Sequence, residues 1–77
     1  MKIVQTKIVK DKEPTLEEMQ KFVGGLIELV PLQNGDQLIV NEEGLIHQLP
    51  HNESASLLAG QMIVGNAMVL KGDAKLT

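Results

Sequence analysis

The residues that could carry chemistry are concentrated in the middle of the chain. His47 and His51 are four residues apart, the spacing at which a helix presents two imidazoles to one metal ion, and Glu53 follows them. Pro50 disfavours such a helix, because the residue before a proline is driven out of the helical region. We therefore expect the two histidines at a strand end and in a loop, and we predict no metal site.

Acid–base and nucleophilic catalysis are not predicted either. Glu42 and Glu43 are adjacent carboxylates, but neighbours in a turn point apart into water and do not act as a pair. Ser54 and Ser56 follow His51, yet no strained turn presents either hydroxyl and no third residue orients the imidazole. The expected protein is therefore not an enzyme, with no catalytic residue and no cofactor.

The composition excludes further classes of site. The chain has 77 residues, enough for one domain, and its seven lysines and ten acidic residues give a formal charge of -3. It has no cysteine, so disulfides and cysteine-held metals are excluded. Phe22 is the only aromatic residue. Because nucleic-acid binding uses clustered basic side chains and aromatic stacking planes, we predict no nucleic-acid partner.

The charges are unevenly distributed. Residues 13–61 carry eight acidic side chains and one lysine, whereas residues 1–12 contain Lys2, Lys7, Lys10 and Lys12. Lysines on a strand protect a sheet edge from aggregation, which is our interpretation of this run; a small basic strip is the alternative. No apolar run reaches the length of a signal peptide or a bilayer span, so we expect a soluble protein without a membrane partner.

The first half of the chain predicts a strand followed by a helix. Residues 2–10 are rich in Ile, Val and Thr with polar residues interleaved, and they indicate a strand with one wet face, within an N-terminal segment 1–12. Thr15 and Glu18 have the spacing of a capping box, so the helix begins there, and Gly24 ends it. Its expected buried face consists of Leu16, Met19, Phe22 and Val23.

Three strands in a meander are expected next, over residues 26–30, 37–40 and 45–49. The first is almost continuously apolar and is the best candidate for a central strand. Asn34 and Gly35 favour a tight hairpin turn with two positive φ angles, and residues 41–44 form a second turn.

The last third of the chain predicts a second helix and a final strand. Pro50 ends the meander, Asn52 is a suitable helix N-cap, and Gly60 closes the helix. The shared helix face consists of Ala55, Leu58 and Ala59. Residues 63–70 are extended and apolar, with a bulge or bend at Gly65, and residues 71–77 form a frayed tail.

These elements predict one α+β domain over residues 1–77, in the order β-α-β-β-β-α-β. A small, mostly antiparallel sheet would carry two short helices on one face. Met19, Met62 and Met68 are expected in the core, where thioethers fill the volume that the missing aromatic residues leave.

Four motifs give the chain a resemblance to a known family. They are VGGLIELVPL at residues 23–32, NEEG at 41–44, LPHNESAS at 49–56 and IVGNA at 63–67. In this order they resemble a family of small uncharacterised proteins, a domain of unknown function, encoded by bacteriophages, plasmids and other mobile elements. The resemblance implies an accessory protein in the cytoplasm of a host bacterium and carries no catalytic residue; the N-terminal segment 1–12 lies outside its recognisable part.

Two of these motifs form polar corners that are expected at the same end of the sheet. Turn formation and helix capping account for both, but loops on a rigid sheet are also where binding residues collect. The candidate binding residues are Asn41, Glu42, Glu43, His51 and Asn52.

Two functions therefore stay open. The first is a non-enzymatic interaction module that binds a host or phage protein, favours a basic partner through its acidic middle, and forms a homodimer through a sheet edge or an apolar patch. The alternative is a protein that sequesters a small, nucleotide-like ligand in a pocket between subunits, near Asn41, Glu42, His51 and Asn52.

Overall fold

In the computed structural model, which describes residues 3–77, four strands and two helices follow one another as β1 (Thr6–Val9), α1 (Leu16–Val23), β2 (Ile27–Pro31), β3 (Gln37–Asn41), α2 (Glu53–Ala59) and β4 (Ala67–Leu70). The strands form one sheet in the order β1-β4-β3-β2. β2 and β4 pair antiparallel with β3, and β1 pairs parallel with β4. The predicted α+β class and the mostly antiparallel sheet are confirmed. Lys2, the predicted start of the first strand, lies outside the described residues.

The two helices pack on opposite faces of the sheet, so the prediction that they share one face is wrong. Met19 and Val23 of α1 contact Ile39 and Met68, while Ala55 of α2 belongs to the cluster on the other face. The reason is visible in β3 and β4, whose residues are apolar at successive positions and are almost all buried. A strand that is apolar on both sides needs a cover on both sides.

No strand forms over residues 45–49, the third strand of the predicted meander. Residues 42–48 are turns instead, with local hydrogen bonds from the His47 amide to the Glu43 carbonyl and from the Leu49 amide to the Gly44 carbonyl. β4 takes the place beside β3. Its sequence Ala-Met-Val-Leu can be buried on both faces, whereas residues 45–49 include His47 and Gln48.

β2 is an edge strand, which corrects its predicted central position. Glu28 and Leu29 are both exposed, and Pro31 has no N–H for a second ladder. The hairpin after it also differs from the two-residue turn predicted from Asn34 and Gly35. Only Gly35 has a positive φ, and the Leu32 amide donates to the Asp36 carbonyl, so the loop has three residues.

Several packing predictions hold and others do not. The capping box of Thr15 and Glu18 is present, Gly24 ends α1 with a left-handed φ of 84°, and Asn52 caps α2. Met19 and Met68 are buried, but Met62 is exposed, because α2 ends before it and the chain turns back to the sheet. The exposed residues on the predicted helix faces are Leu16 and Leu58.

The C-terminal residues, predicted as a frayed tail, are packed against the sheet. A 3-10 helix over Gly72–Ala74 buries Ala74 completely. Gln37 fixes the segment beyond it, since its side-chain amide donates to the Leu76 carbonyl and its carbonyl oxygen accepts from the Leu76 amide at 2.7 Å. Two hydrogen bonds from one side chain give this segment a defined position.

Candidate functional site

Both corners predicted to carry binding residues lie at one end of the sheet. β3 ends at Asn41, and because β4 is antiparallel to β3 and parallel to β1, both of these strands begin at that end. α1 also ends there. We call this region the polar end of the sheet; it contains Asn41, Asn52 and Asn66, three asparagines whose amides are all hydrogen-bonded.

Asn41 connects β3 to the end of α1. Its side-chain nitrogen donates to the Val23 carbonyl at 3.1 Å, and its oxygen accepts from the Glu43 amide at 2.8 Å. The side chain is 7% exposed and also closes against Gly25, where an added Cβ would lie 3.1 Å from its nitrogen. This predicted binding residue is therefore committed to internal contacts.

Asn52 has an even denser set of partners. Its oxygen accepts from the Ala55 amide and from the hydroxyls of Thr6 and Ser54, while its nitrogen donates to the Gly65 carbonyl at 2.9 Å. The residue is 2% exposed. One side chain thus joins the start of α2 to β1 and to the segment before β4.

Asn66 completes the polar end and was not among the predicted site residues. Its nitrogen donates to the Phe22 carbonyl at 3.1 Å, and its oxygen accepts from the Gln5 amide at 2.8 Å. Asn41 and Asn66 therefore both bond carbonyls in the last turn of α1, which have no partner within a helix. Asn66 lies in the IVGNA motif, which was the one signal in the sequence that could have identified it. From the sequence alone, we interpret that motif as a bend in the strand.

The remaining predicted residues are more exposed and do not converge. The carboxylate of Glu43 lies 3.6 Å from Nε2 of His47, which is four residues further along the chain. Nε2 of His51 lies 3.2 Å from the hydroxyl of Ser56, which also donates to the Asn52 carbonyl at 2.7 Å. That hydroxyl is occupied by backbone contacts.

Glu42 borders a cavity that sequence reasoning missed. The cavity, of about 280 Å³, lies over Val40 on the α2 side of the sheet, and we call it the acidic cavity. Its exposed apolar walls are Leu45, Ile46 and Met62, which are 68%, 76% and 63% exposed, and its charged lining residues are Glu28 and Glu42. His51 and Asn52 do not line it.

A larger groove lies on the other side of the molecule, between β1 and α1. It has a volume of about 760 Å³, and we call it the lysine groove. Its lysines are Lys7, Lys10, Lys12 and Lys21. Phe22 also lines it, with Nζ of Lys7 5.9 Å from the ring centroid. The acidic side chains of Asp11, Glu13 and Glu18 share the groove and offset much of its positive charge.

Neither cavity contains a cluster of metal-ligating side chains from the described residues. Within residues 3–77, no group of three or more histidines, aspartates and glutamates is arranged to hold a metal ion. Nor does any helix in that range have the length and apolar character that a bilayer span requires.

A small mixed sheet between two short helices, tied together by asparagines at one end, defines a small α+β domain. The chain belongs to the family described as DUF3846, a domain of unknown function, whose sequence model matches residues 1–76. The match includes the N-terminal strand, which was expected to lie outside the recognisable part. No curated protein and no solved structure matches the chain.

Proposed function

We propose that this protein is a non-enzymatic interaction module that binds a basic segment of a host or phage protein at the acidic cavity. The observation that carries the proposal is the combination of exposed apolar walls with two carboxylates. Leu45, Ile46 and Met62 expose most of their surface beside Glu28 and Glu42, and no lysine among residues 3–77 lines the cavity. A lysine or arginine side chain suits this lining, because its stem is apolar and its end is charged.

The polar end supports the same proposal by providing a rigid frame. Asn41 lines the acidic cavity and is held at both ends of its amide, so the turn that presents Leu45 and Ile46 starts from a fixed point. Binding surfaces lose less conformational entropy when such loops are already ordered. The setting inside a bacterium with a phage or mobile element is part of this proposal and follows from the motif resemblance.

The test is a pull-down from bacterial lysate at low and at raised salt, with the wild-type protein and two charge-reversed variants. Glu28→Lys should remove the capture of a basic protein that the wild type retains, and raised salt should weaken capture by the wild type. Glu17→Lys is the matched control, since it changes the net charge equally on α1, across the sheet from the cavity. Equal loss with both variants would contradict the proposal.

The lysine groove favours a second candidate function, the retention of a small anionic ligand with a planar ring. Four lysines and the Phe22 ring line it. The chain has no Trp or Tyr, so a purified sample is nearly transparent near 280 nm. A base-like absorption band near 260 nm that survives nuclease treatment, and that Lys7→Ala with Lys21→Ala removes, would support this function; a sample without the band would contradict it.

A further inference from the structure

The backbone of β2 faces β3 with every second residue and solvent with the others. The Glu42 amide donates to the Leu26 carbonyl at 2.8 Å, and the Leu32 amide donates to the Asp36 carbonyl at 2.9 Å. Hydrogen-bonded pairs recur at every second residue of an antiparallel ladder, so the even-numbered residues of β2 bond β3. The outward groups are therefore the N–H groups of Ile27 and Leu29 and the carbonyls of Ile27, Leu29 and Pro31.

Among residues 3–77, no further strand pairs with this edge. β2 pairs only with β3 in the sheet, and no other hydrogen bond within the described residues reaches the outward groups of Ile27, Leu29 or Pro31. An uncovered row of alternating donors and acceptors is a template for one more strand. The row is short, since Pro31 contributes no donor and ends it.

We propose that the outer edge of β2 binds an extended, basic segment of a partner protein as an added antiparallel strand. This proposal rests on the proposed function and specifies how the partner docks. Residues 27 and 29 would exchange backbone hydrogen bonds with the segment. The side chain opposite Glu28 would lie on the same face of the sheet as the acidic cavity, because Glu28 lines that cavity.

The side chains of β2 define the pattern of the segment. Glu28 is exposed on the α2 face, and Leu29 is 39% exposed on the α1 face. A lysine opposite Glu28 would lay its apolar stem against the cavity wall and place its ammonium near the carboxylates of Glu28 and Glu42. The neighbouring residues of the segment would lie on the Leu29 face and should be aliphatic. The pattern is therefore alternating basic and aliphatic.

A second copy of this chain fits the same edge less well. Pairing two β2 strands about Glu28 places two carboxylates directly opposite each other, which is destabilising. Pairing them about Leu29 places each Pro31 opposite Ile27 of the other copy, and the carbonyl of that isoleucine then meets no N–H. Charge and hydrogen bonding together favour a basic partner.

The test uses an acetylated, amidated octapeptide of alternating lysine and valine as the probe, added to the isotope-labelled full chain. Binding should slow amide hydrogen exchange at Ile27 and Leu29 by about tenfold or more, since exchange requires the new hydrogen bonds to open. The amides of Glu28 and Val30 already face β3 and should change little. The same octapeptide with glutamate in place of lysine should cause no protection.

Two methylated probes separate strand addition from simple charge attraction. Methylation of the valine amides removes the donors that face β2, whereas methylation of the lysine amides alters only donors that face solvent. Both probes keep the charge and the side chains of the original octapeptide. Only the first should lose affinity, by about tenfold or more for two lost backbone bonds.

Variants of the protein provide the reciprocal test. Leu29→Pro removes one outward donor and should reduce affinity about tenfold, and Leu29→Ala, which keeps the N–H, should reduce it less. Ile8→Pro is the matched control on the other edge. The Ala67 amide bonds the Gln5 carbonyl and the Lys71 amide bonds the Val9 carbonyl, so the N–H of Ile8 points away from β4.

The outcomes distinguish the two proposals. Protection at Ile27 and Leu29 that requires the valine amides supports strand addition. Binding that Glu28→Lys removes, but that valine methylation leaves unchanged, overturns strand addition and keeps the acidic cavity as a binding site. Protection at the same two amides without peptide, with a doubled mass in light scattering, shows that a second copy occupies the edge and overturns the basic partner. Absence of binding by the lysine–valine probe overturns both proposals.

Discussion

The two edges of the sheet leave similar backbone groups unpaired but surround them with opposite charges. At β1 the outward groups belong to Thr6 and Ile8, and Lys7 lies between them. At β2 they belong to Ile27 and Leu29, and Glu28 lies between them. Both charges discourage association of like edges, but the carboxylate of β2 attracts a basic strand that the lysine of β1 repels.

The edges also differ in how they are held to the rest of the molecule. β2 is joined to β3 by a three-residue loop, so its pairing closes a short segment of chain. β1 is far in sequence from its partner β4 and is anchored instead by Asn52 and Asn66, which bond Thr6 and Gln5. Local chain connection holds one edge, and buried amides hold the other.

The largest effect is expected from proline substitutions in β2. Val30→Pro removes a donor that faces β3 and should lower the free energy of unfolding by about 3 kcal/mol or more, because a buried carbonyl of Leu38 also loses its partner. Leu29→Pro removes only an outward donor and should cost about 1 kcal/mol. Urea unfolding followed by circular dichroism measures both. Equal losses would contradict the assignment of the outward groups.

A smaller effect is expected at the asparagines that anchor the strands. Asn52→Ala removes the N-cap of α2 and leaves the Gly65 carbonyl without its buried donor, so we expect a loss of about 2–3 kcal/mol. Asn41→Ala removes two internal hydrogen bonds and should cost about 1–2 kcal/mol. The urea midpoint of Asn52→Ala should be lower than that of Asn41→Ala. The opposite order would contradict the expectation that the amide anchoring β1 contributes more to stability than Asn41 does.

Local signals in the sequence predicted the helices well. The capping box at Thr15 and the glycine after Val23 fix α1 by contacts within a few residues, and Asn52 does the same for α2. The sheet order was not predictable in this way. Residues 67–70 lie far along the chain from residues 26–30, yet they are more deeply buried and pair with the other side of β3. The local sequence of residues 26–30 gives no signal of this.

The candidate site was predicted only in part, because it too depends on contacts between distant parts of the chain. The predicted polar residues lie at one end of the sheet, where Asn41 and Asn52 are buried and hydrogen-bonded to other parts of the chain. The acidic cavity joins Glu28 to Leu45 and Met62, three residues from separate parts of the chain. Such a surface depends on the tertiary packing, and the strand predicted over residues 45–49 would have removed its wall.

Each edge also has a neighbouring carboxyl group with a lowered pKa, which predicts a loss of stability in acid. Hydrogen bonds from the Thr15 backbone and side chain lower the pKa of Glu18, which lines the groove beside β1. The side-chain hydrogen bond from the Lys71 ammonium lowers the pKa of Asp36, which directly follows the three-residue loop after β2. In both cases the unfolded chain binds the proton more tightly than the folded chain does. The free energy of unfolding therefore rises with pH between the lowered pKa of the folded state and the ordinary carboxyl pKa.

The stabilisation from these carboxylates is complete above the ordinary carboxyl pKa of about 4 and is lost as the pH falls through the lowered value in the folded state. Urea midpoints measured at several pH values should therefore fall in acid. Asp36→Asn and Glu18→Gln should each make this fall shallower, and the double variant more so. A variant with an unchanged acid profile would show that its carboxylate has the same pKa in both states.

The smallest effect concerns Lys7 of β1. Nζ of Lys7 lies 5.9 Å from the centroid of the Phe22 ring, within the range of a cation–π contact at an exposed site. Lys7→Gln should lower the free energy of unfolding by about 0.5 kcal/mol, and Lys10→Gln, which removes an equal charge without this contact, should have less effect. Lys7→Val replaces the charged side chain at the edge with an apolar, β-branched one. It should raise the mass measured by light scattering as the protein concentration increases, because β1 would then expose outward N–H groups beside an apolar side chain; a mass that stays constant would show that the edge does not need the lysine.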